Sequence, residues 1–415
     1  MAVIRPFKAL RPDPKSAPLV ASVPYDVVNT EEAYEFAKGN PLSFLRITRS
    51  EIELPNNVDH YSDEVYQKAK ENLKKITKEA PLLVDEKPHL YLYRLIMNGR
   101  AQVGICATFS VDDYDKDIIL KHEKTRKDKE DDRTRHIITT KTQTGLVFLT
   151  YKSPARVNEL VNKTMKEQSP LYDFTASDGI VHTIWIIPNE FNNDIINEIA
   201  HVKKLYISDG HHRAKSASRA REEMKNKNPH HKGKEEYNYF VAVLFPAHQL
   251  KILPYNRVVV DLNGKSKEEF LNQISEKFSV EKTTGKEPPA KNSFGMYLDG
   301  EWYLLKAKDS ILASNSLSKS FADKLDVSIL QNFLLNPILG IDDPRTNKRI
   351  DFVGGIRGTK ELEKLVNSGK FVVAFSMYPV SVDDLMSISD AGEIMPPKST
   401  WFEPKLRDGL LVHLI

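Results

Sequence analysis

Between residues 183 and 245 the hydrophobic period changes repeatedly, and few folds accommodate such a pattern. Residues 183–187 (TIWII), 204–208 (KLYIS) and 239–245 (YFVAVLF) are short β-branched and aromatic runs, the composition of strands. Residues 194–202 and 213–227 lie between them with helical spacing, and Asn228-Pro229 stops the second. Strand, helix, strand at this interval is the signature of a mixed α/β protein.

The same reading extends outward. Five prolines between residues 6 and 24 keep the first stretch from being mostly helical. A short helix is expected over 30–38, with Thr30 as its N-cap, and a longer one over 62–79, where Val65, Ala69, Leu73 and Ile76 share one face. Residues 89–97, 102–111 and 145–151 read as strands, with Asn98-Gly99 as a hairpin turn. In the last third, strands are expected at 294–298, 302–305, 371–378 and 410–415, and helices at 326–335, 359–367 and 382–390. The 415 residues suggest two or three domains, drawn at 1–155, 156–290 and 291–415.

Composition narrows the function. Sixty Lys and Arg against 57 Asp and Glu give a net charge of +3, without the basic excess of a nucleic-acid or membrane-surface binder. No apolar run approaches the ~18 residues of a membrane span, and charges interrupt the N-terminal apolar residues, so the expectation is a cytoplasmic protein. The single cysteine, Cys106, excludes an intrachain disulfide and cysteine-rich zinc sites; lying in an apolar strand, it reads as a small core residue.

One motif carries most chemistry. Asp209-Gly210-His211-His212-Arg213 sits between the strand KLYIS and a helix that opens with small residues. Gly210 can take a positive φ, and the first-turn N–H groups of the helix then offer an anion site at the positive end of its dipole. Arg213 and the imidazoles add donors. The bland alternative is an N-cap, a turn glycine and surface histidines. A zinc site from His211, His212, His230 and His231 is disfavoured, because adjacent side chains diverge on a helix and no carboxylate joins them.

A second cluster, residues 121–136 (KHEKTRKDKEDDRTRH), has seven basic and five acidic residues among its sixteen. A run of this kind is usually a solvated face. Functionally, Glu123, bracketed by cations, would serve as a general base, and Arg126, Arg133, Arg135 and His136 would meet phosphate oxygens. A third, 396–400 (PPKST), offers Lys398 and Ser399 for an anion contact or simply forms a packed turn, and Pro24-Tyr25-Asp26 has the same ambiguity.

Over nearly its whole length the chain resembles the bacterial and archaeal family called domain of unknown function 1015. The matching stretches are IRPFKALRP, VPYDVV, NPLSFL, KHEKTRKDKEDDRTRH, YISDGHHRAKSA, YNYFVAVLF, RIDFVGG and MPPKSTWFEPKL. More distantly, the strand–DGHHR–helix unit is similar to the phosphate-binding motif of the ParB/sulfiredoxin superfamily, in the form found in free-serine kinases. That resemblance implies that Gly210, His211, His212 and Arg213 contact nucleotide phosphates, with Asp209 near the reacting centre. It also implies an upstream glutamate as base, for which Glu123 is the candidate.

The expectation is therefore a phosphotransferase acting between ATP or ADP and a small hydroxyl substrate, most readily serine or phosphoserine, with Glu123, Asp209 and His212 catalytic. Asp209 beside phosphate would be repulsive unless it held Mg²⁺, so Mg²⁺ is expected. The alternative is a nucleotide-binding regulatory protein without turnover. A ParB-like DNA binder would need a helix-turn-helix and a basic stripe, and a sulfiredoxin-like reductase a cysteine in the phosphate turn; neither feature is present. The oligomeric state is open.

Overall fold

The computed structural model describes residues 1–79, 82–313 and 320–415. The chain divides into two compact units: residues 1–121, 125–250 and 404–415 form unit 1, and residues 122–124 and 251–403 form unit 2.

Unit 1 is built on a nine-stranded mixed sheet. Its central strands are β1 (Tyr91–Met97), β2 (Arg100–Ser110), β3 (Val147–Tyr151), β4 (Val181–Ile186), β5 (Leu205–Asp209) and β6 (Tyr239–Pro246). They run in the order β5-β3-β6-β2-β1-β4, with Ile119–Leu120 beyond β5 and Tyr172–Thr175 beyond β4. The β1–β2 hairpin turns at Asn98-Gly99, both at positive φ (50° and 75°), which suits the right-handed twist of the flanking strands. Every residue of β3, and every residue of β5 except Asp209, is buried. Strands so uniformly buried need cover on both faces, and three helices, Ala155–Glu167, Asn189–Ala200 and His211–Lys227, place Val157, Leu160, Ile195, Ile199, Ala214 and Ala217 in the core with the sheet.

The elements expected from sequence are present with small shifts. The first expected lobes, 1–155 and 156–290, share this one sheet. The helix Thr30–Ala37 is capped by Asn29 rather than Thr30: the Asn29 side chain accepts from Glu32 N at 2.8 Å, and Glu32 Oε2 accepts from Asn29 N at 3.0 Å. The capping box fits because Asn is the better cap and Glu stands three residues on. Residues 404–415 return to unit 1, where Val412–Leu414 pairs with Ala9–Arg11 and Thr142–Gln143.

Unit 2 holds a six-stranded antiparallel sheet in the order Phe278–Lys282, Glu301–Ala307, Ser293–Leu298, Val373–Met377, Tyr255–Val259, Ile350–Gly354. The helix Gly358–Asn367 covers part of it through Leu362. The helix expected over 326–335 is α-helical at Asp326–Leu330 and widens to a π turn over Gln331–Leu335. No described helix is long and apolar enough to cross a membrane.

Candidate functional site

The corner after β5 is in unit 1. Ser208 sits at a register shift between β5 and β3, and Gly210 follows in the left-handed region (φ 92°, ψ 30°). The chain then enters α2 (His211–Lys227), whose first turn has no side-chain cap. Glycine is required there on two grounds. A β-carbon at Gly210 would be strained by φ, and it would lie 3.2 Å from Arg213 Cζ and 3.4 Å from Val147 Cα. The small residues behind the corner do what their size suggests: Ala214, Ala217 and Ala220 are each at most 2% exposed, bringing α2 close to the sheet.

Arg213 does not point outward. Its side chain is 7% exposed. It donates to Leu146 O, to Asp209 Oδ2 at 3.1 Å and to Asp26 Oδ2 at 3.4 Å. Lys405, from the returning C-terminal segment, reaches the same Asp209 oxygen at 3.3 Å. Burial alone would raise the Asp209 carboxyl, but Lys405 and Arg213 outweigh it and hold the group well below the usual carboxylate range. A fifth ionisable group, Asp408, is 1% exposed, and its backbone pairs with Ser22. Burial, reinforced by Asp26, pushes its carboxyl up to about 8 against the opposing pull of Arg213, Arg133 and Arg407. Asp26, whose side chain is 34% exposed, is the carboxylate of this cluster most open to solvent.

His212 is held by the charged run. Its Nε2 accepts from the backbone N–H of Arg126 at 3.1 Å, which leaves Nδ1 as the protonated nitrogen. Burial lowers its pKa, so the ring is neutral near pH 7. His211 is 4% exposed.

The run 121–136 is largely helix α1 (Lys127–Thr140), packed on α2: Ser216 Oγ donates to Glu130 O at 3.2 Å, and Arg219 pairs with Glu130 and Asp131. Arg126 is exposed and forked on Asp128. Arg133 and His136, expected to meet phosphate, face inward. Arg133 is forked on Asp132, donates to Thr48 O and stacks 4.2 Å from the centre of the Tyr25 ring. His136 is 4% exposed, bonds Ile47 O through Nε2, and is pushed down to about 4 by burial and by Arg133. Arg135 is engaged with Asp63 and Tyr61 O.

Glu123 belongs to the segment 122–124 of unit 2. Lys398 and Ser399 lie in the 251–403 part of the same unit. Lys398 lies at positive φ with its ammonium 5.2 Å from the Tyr255 ring centre, and Ser399 donates to Pro396 O at 2.6 Å. Cys106 is fully buried, and burial raises its thiol. His231 stacks on Tyr237 and pairs with Glu235.

A resident Mg²⁺ does not fit the donor set. Asp209 Oδ2 is shared by two cations, and among the described residues no three His, Cys, Asp or Glu converge on a metal position. Sequence reasoning passed over Lys405 and Asp408. They stand about two hundred residues from Asp209, with no local motif to mark them, although the stretch MPPKSTWFEPKL ends on the segment that carries them.

Comparison with known proteins gives one firm relationship. No curated protein matches the sequence. Among solved structures, a conserved hypothetical protein from Pyrococcus furiosus is 11% identical, with 75% of this chain and 95% of that one covered at a TM-score of 0.35. A free serine kinase in complex with AMP is 12% identical (75% and 92%, TM-score 0.36), and C-terminally truncated SbnI from Staphylococcus aureus is 13% identical (74% and 87%, TM-score 0.38). At these values the likenesses establish neither activity nor ligand. The family model described as protein of unknown function (DUF1015) matches residues 4–328, and the chain belongs to that family.

Proposed function

We propose that the chain is a small-molecule phosphotransferase, moving a phosphoryl group between ATP or ADP and a small hydroxyl compound, with serine or phosphoserine the first pair to try. The observation that carries this reading is the uncapped first turn of α2 behind an αL glycine. Glycine at the N-cap brings no side-chain oxygen to the first-turn amides, and an anion at a helix N-terminus complements such amides and the helix dipole together. Phosphoryl transfer asks a protein mainly for positioning and charge neutralisation, which suits such a corner.

Roles follow from the geometry. The amides of the α2 first turn would hold phosphate oxygens. Arg213, buried among carboxylates, would brace the corner instead of touching phosphate. Lys405 and Arg213 together neutralise Asp209, so the carboxylate does not repel the ligand. Asp26, with its greater exposure, is the group in unit 1 best placed to orient a hydroxyl or accept its proton. Mg²⁺ would arrive as the nucleotide's counterion, and none of these roles depends on a protein-held metal.

The test is direct. The full chain is incubated with Mg²⁺, ATP and serine, and separately with ADP and phosphoserine, while ³¹P signals are followed. Transfer in either direction supports the reading. Nucleotide binding without transfer to any small hydroxyl compound would favour a regulatory nucleotide binder, and absence of nucleotide binding would remove both.

A further inference from the structure

A cavity of about 740 Å³, the size of a small-molecule site, lies wholly within unit 2. Phe321, Leu325, Ile329, Val380 and Ile388 give it apolar walls. Leu312 and Phe321, 38% and 52% exposed, stand in the same lining as large apolar side chains left against water.

The charges in that lining cancel, two lysines against two aspartates. Lys291 holds both oxygens of Asp384, at 2.7 and 2.9 Å, and Asp384 is fixed further by its capping box with Ser381. Asp326 is 7% exposed: its Oδ1 accepts from Asn292 N at 2.9 Å, and its Oδ2 is closed to solvent. Lys324 is exposed, with its ammonium 5.8 Å from the Phe321 ring centre, where water solvates it. An ion entering the apolar space would shed its hydration shell and find the charges along the walls already paired, closed off or hydrated.

The open polar groups are uncharged ones. Asn292, Tyr378 and Ser387 are half-buried in the lining. The Tyr378 and Ser387 hydroxyls and the Asn292 side-chain amide have no hydrogen-bond partner among the described residues, and unlike Asp326 Oδ2 they are not sealed. A hydroxyl both donates and accepts, so an alcohol or amide can meet these groups without bringing a charge into the apolar space.

We propose that this cavity binds an uncharged small molecule carrying a hydroxyl or amide group, its apolar body against Phe321, Ile329 and Ile388 and its polar group on Tyr378 and Ser387. The apolar body covers the exposed rings, and the neutral head meets the two open hydroxyls. Such binding is independent of phosphoryl transfer at the corner of unit 1.

The probes are 2-phenylethanol and 3-phenylpropanamide, with 2-phenylethylamine and phenylacetate as charged counterparts, each titrated into the full chain and followed by ligand-observed NMR. Both neutral probes are expected to bind in the millimolar range or tighter, and each ion at least about fivefold more weakly because it must be desolvated. The double variant Tyr378→Phe with Ser387→Ala keeps the apolar walls and should weaken both neutral probes about fivefold or more, through the lost hydrogen bonds. Ser387→Trp fills the cavity from its wall and should abolish their binding, and the double variant decides the matter if the tryptophan variant fails to fold. Absence of neutral-probe binding up to about 10 mM, binding of either ion as tight as the alcohol, or neutral-probe binding indifferent to either folded variant would overturn the proposal.

Discussion

Arg213 Nη2 and Asp209 Oδ2 face each other at 3.1 Å, one turn apart across the glycine corner, so that a charge pair ties the end of a strand to the start of a helix. The guanidinium also holds Leu146 O and Asp26, a fork of donors that a lysine cannot reproduce. Arg213→Ala leaves Asp209 with Lys405 as its remaining cation and Asp26 without its guanidinium partner, and should cost about 3 kcal/mol of stability. Arg213→Lys should fall between that variant and wild type, and its nucleotide affinity should drop with the loss of corner geometry. Urea unfolding and nucleotide titration check both; wild-type stability in Arg213→Ala would remove the bracing role.

Asp408 makes stability depend on pH with a definite sign. Its carboxyl holds a proton up to about 8 in the folded chain against an ordinary value of 3.8. Between those values the folded state binds the extra proton, so the contribution of Asp408 to stability is full below about 4 and is lost as pH rises toward about 8. One proton corresponds to about 1.4 kcal/mol for each pH unit crossed. Asp408→Asn imitates the protonated acid and should flatten this component. Urea midpoints at pH 6 and pH 9 for the two proteins are compared, and parallel losses would mean that Asp408 is already ionised in the fold.

The corner was legible in the sequence because its determinants are local: a strand, a glycine, and alanines at helical spacing. What surrounds it was not, for a physical reason. Helix α1 buries Asp132, Thr134 and His136 rather than an apolar stripe, so a hydropathy pattern registers only a charged run. The side chains that neutralise the corner come from opposite ends of the chain, Asp26 near the start and Lys405 near the finish, and no spacing rule links them to residue 209. In the same way the helix Ala155–Glu167 went unread although Val157, Leu160 and Thr164 share its buried face, because Asn, Lys and Thr dilute the apolar signal.

Gly210→Ala should damage the corner without removing any charged group. A left-handed alanine costs about 1–2 kcal/mol, and its β-carbon would press on Arg213 at 3.2 Å. Stability should fall by that amount or more, and nucleotide affinity should fall further than in a variant of equal stability loss elsewhere in unit 1. Thermal unfolding and nucleotide titration of Gly210→Ala beside Val157→Ala make the comparison. Equal affinities in the two would show that the corner does not bind phosphate.

Cys106 offers a probe of opening. The thiol is fully buried and raised by that burial, so a thiol reagent should react only as fast as the sheet opens. Cys106→Ala should retain whatever transfer activity the wild type has. Rapid labelling under native conditions, or loss of activity in the alanine variant, would return the thiol to consideration.

The choice of base is the sharpest test of the site. Glu123 follows from the resemblance to serine kinases, whereas Asp26 follows from geometry, since it sits against Arg213 and keeps a third of its side chain open to solvent. A group that orients or deprotonates the acceptor hydroxyl contributes about 10²–10⁴ to rate while adding little to nucleotide binding. Asp26→Asn should therefore slow phosphoryl transfer about a hundredfold or more and shift nucleotide affinity only slightly, and Glu123→Gln should have the smaller effect on rate. Paired rate and binding measurements on the two variants separate the assignments. A slow Glu123→Gln beside a normal Asp26→Asn would restore the glutamate, because a true base cannot be replaced by its amide without a loss of rate.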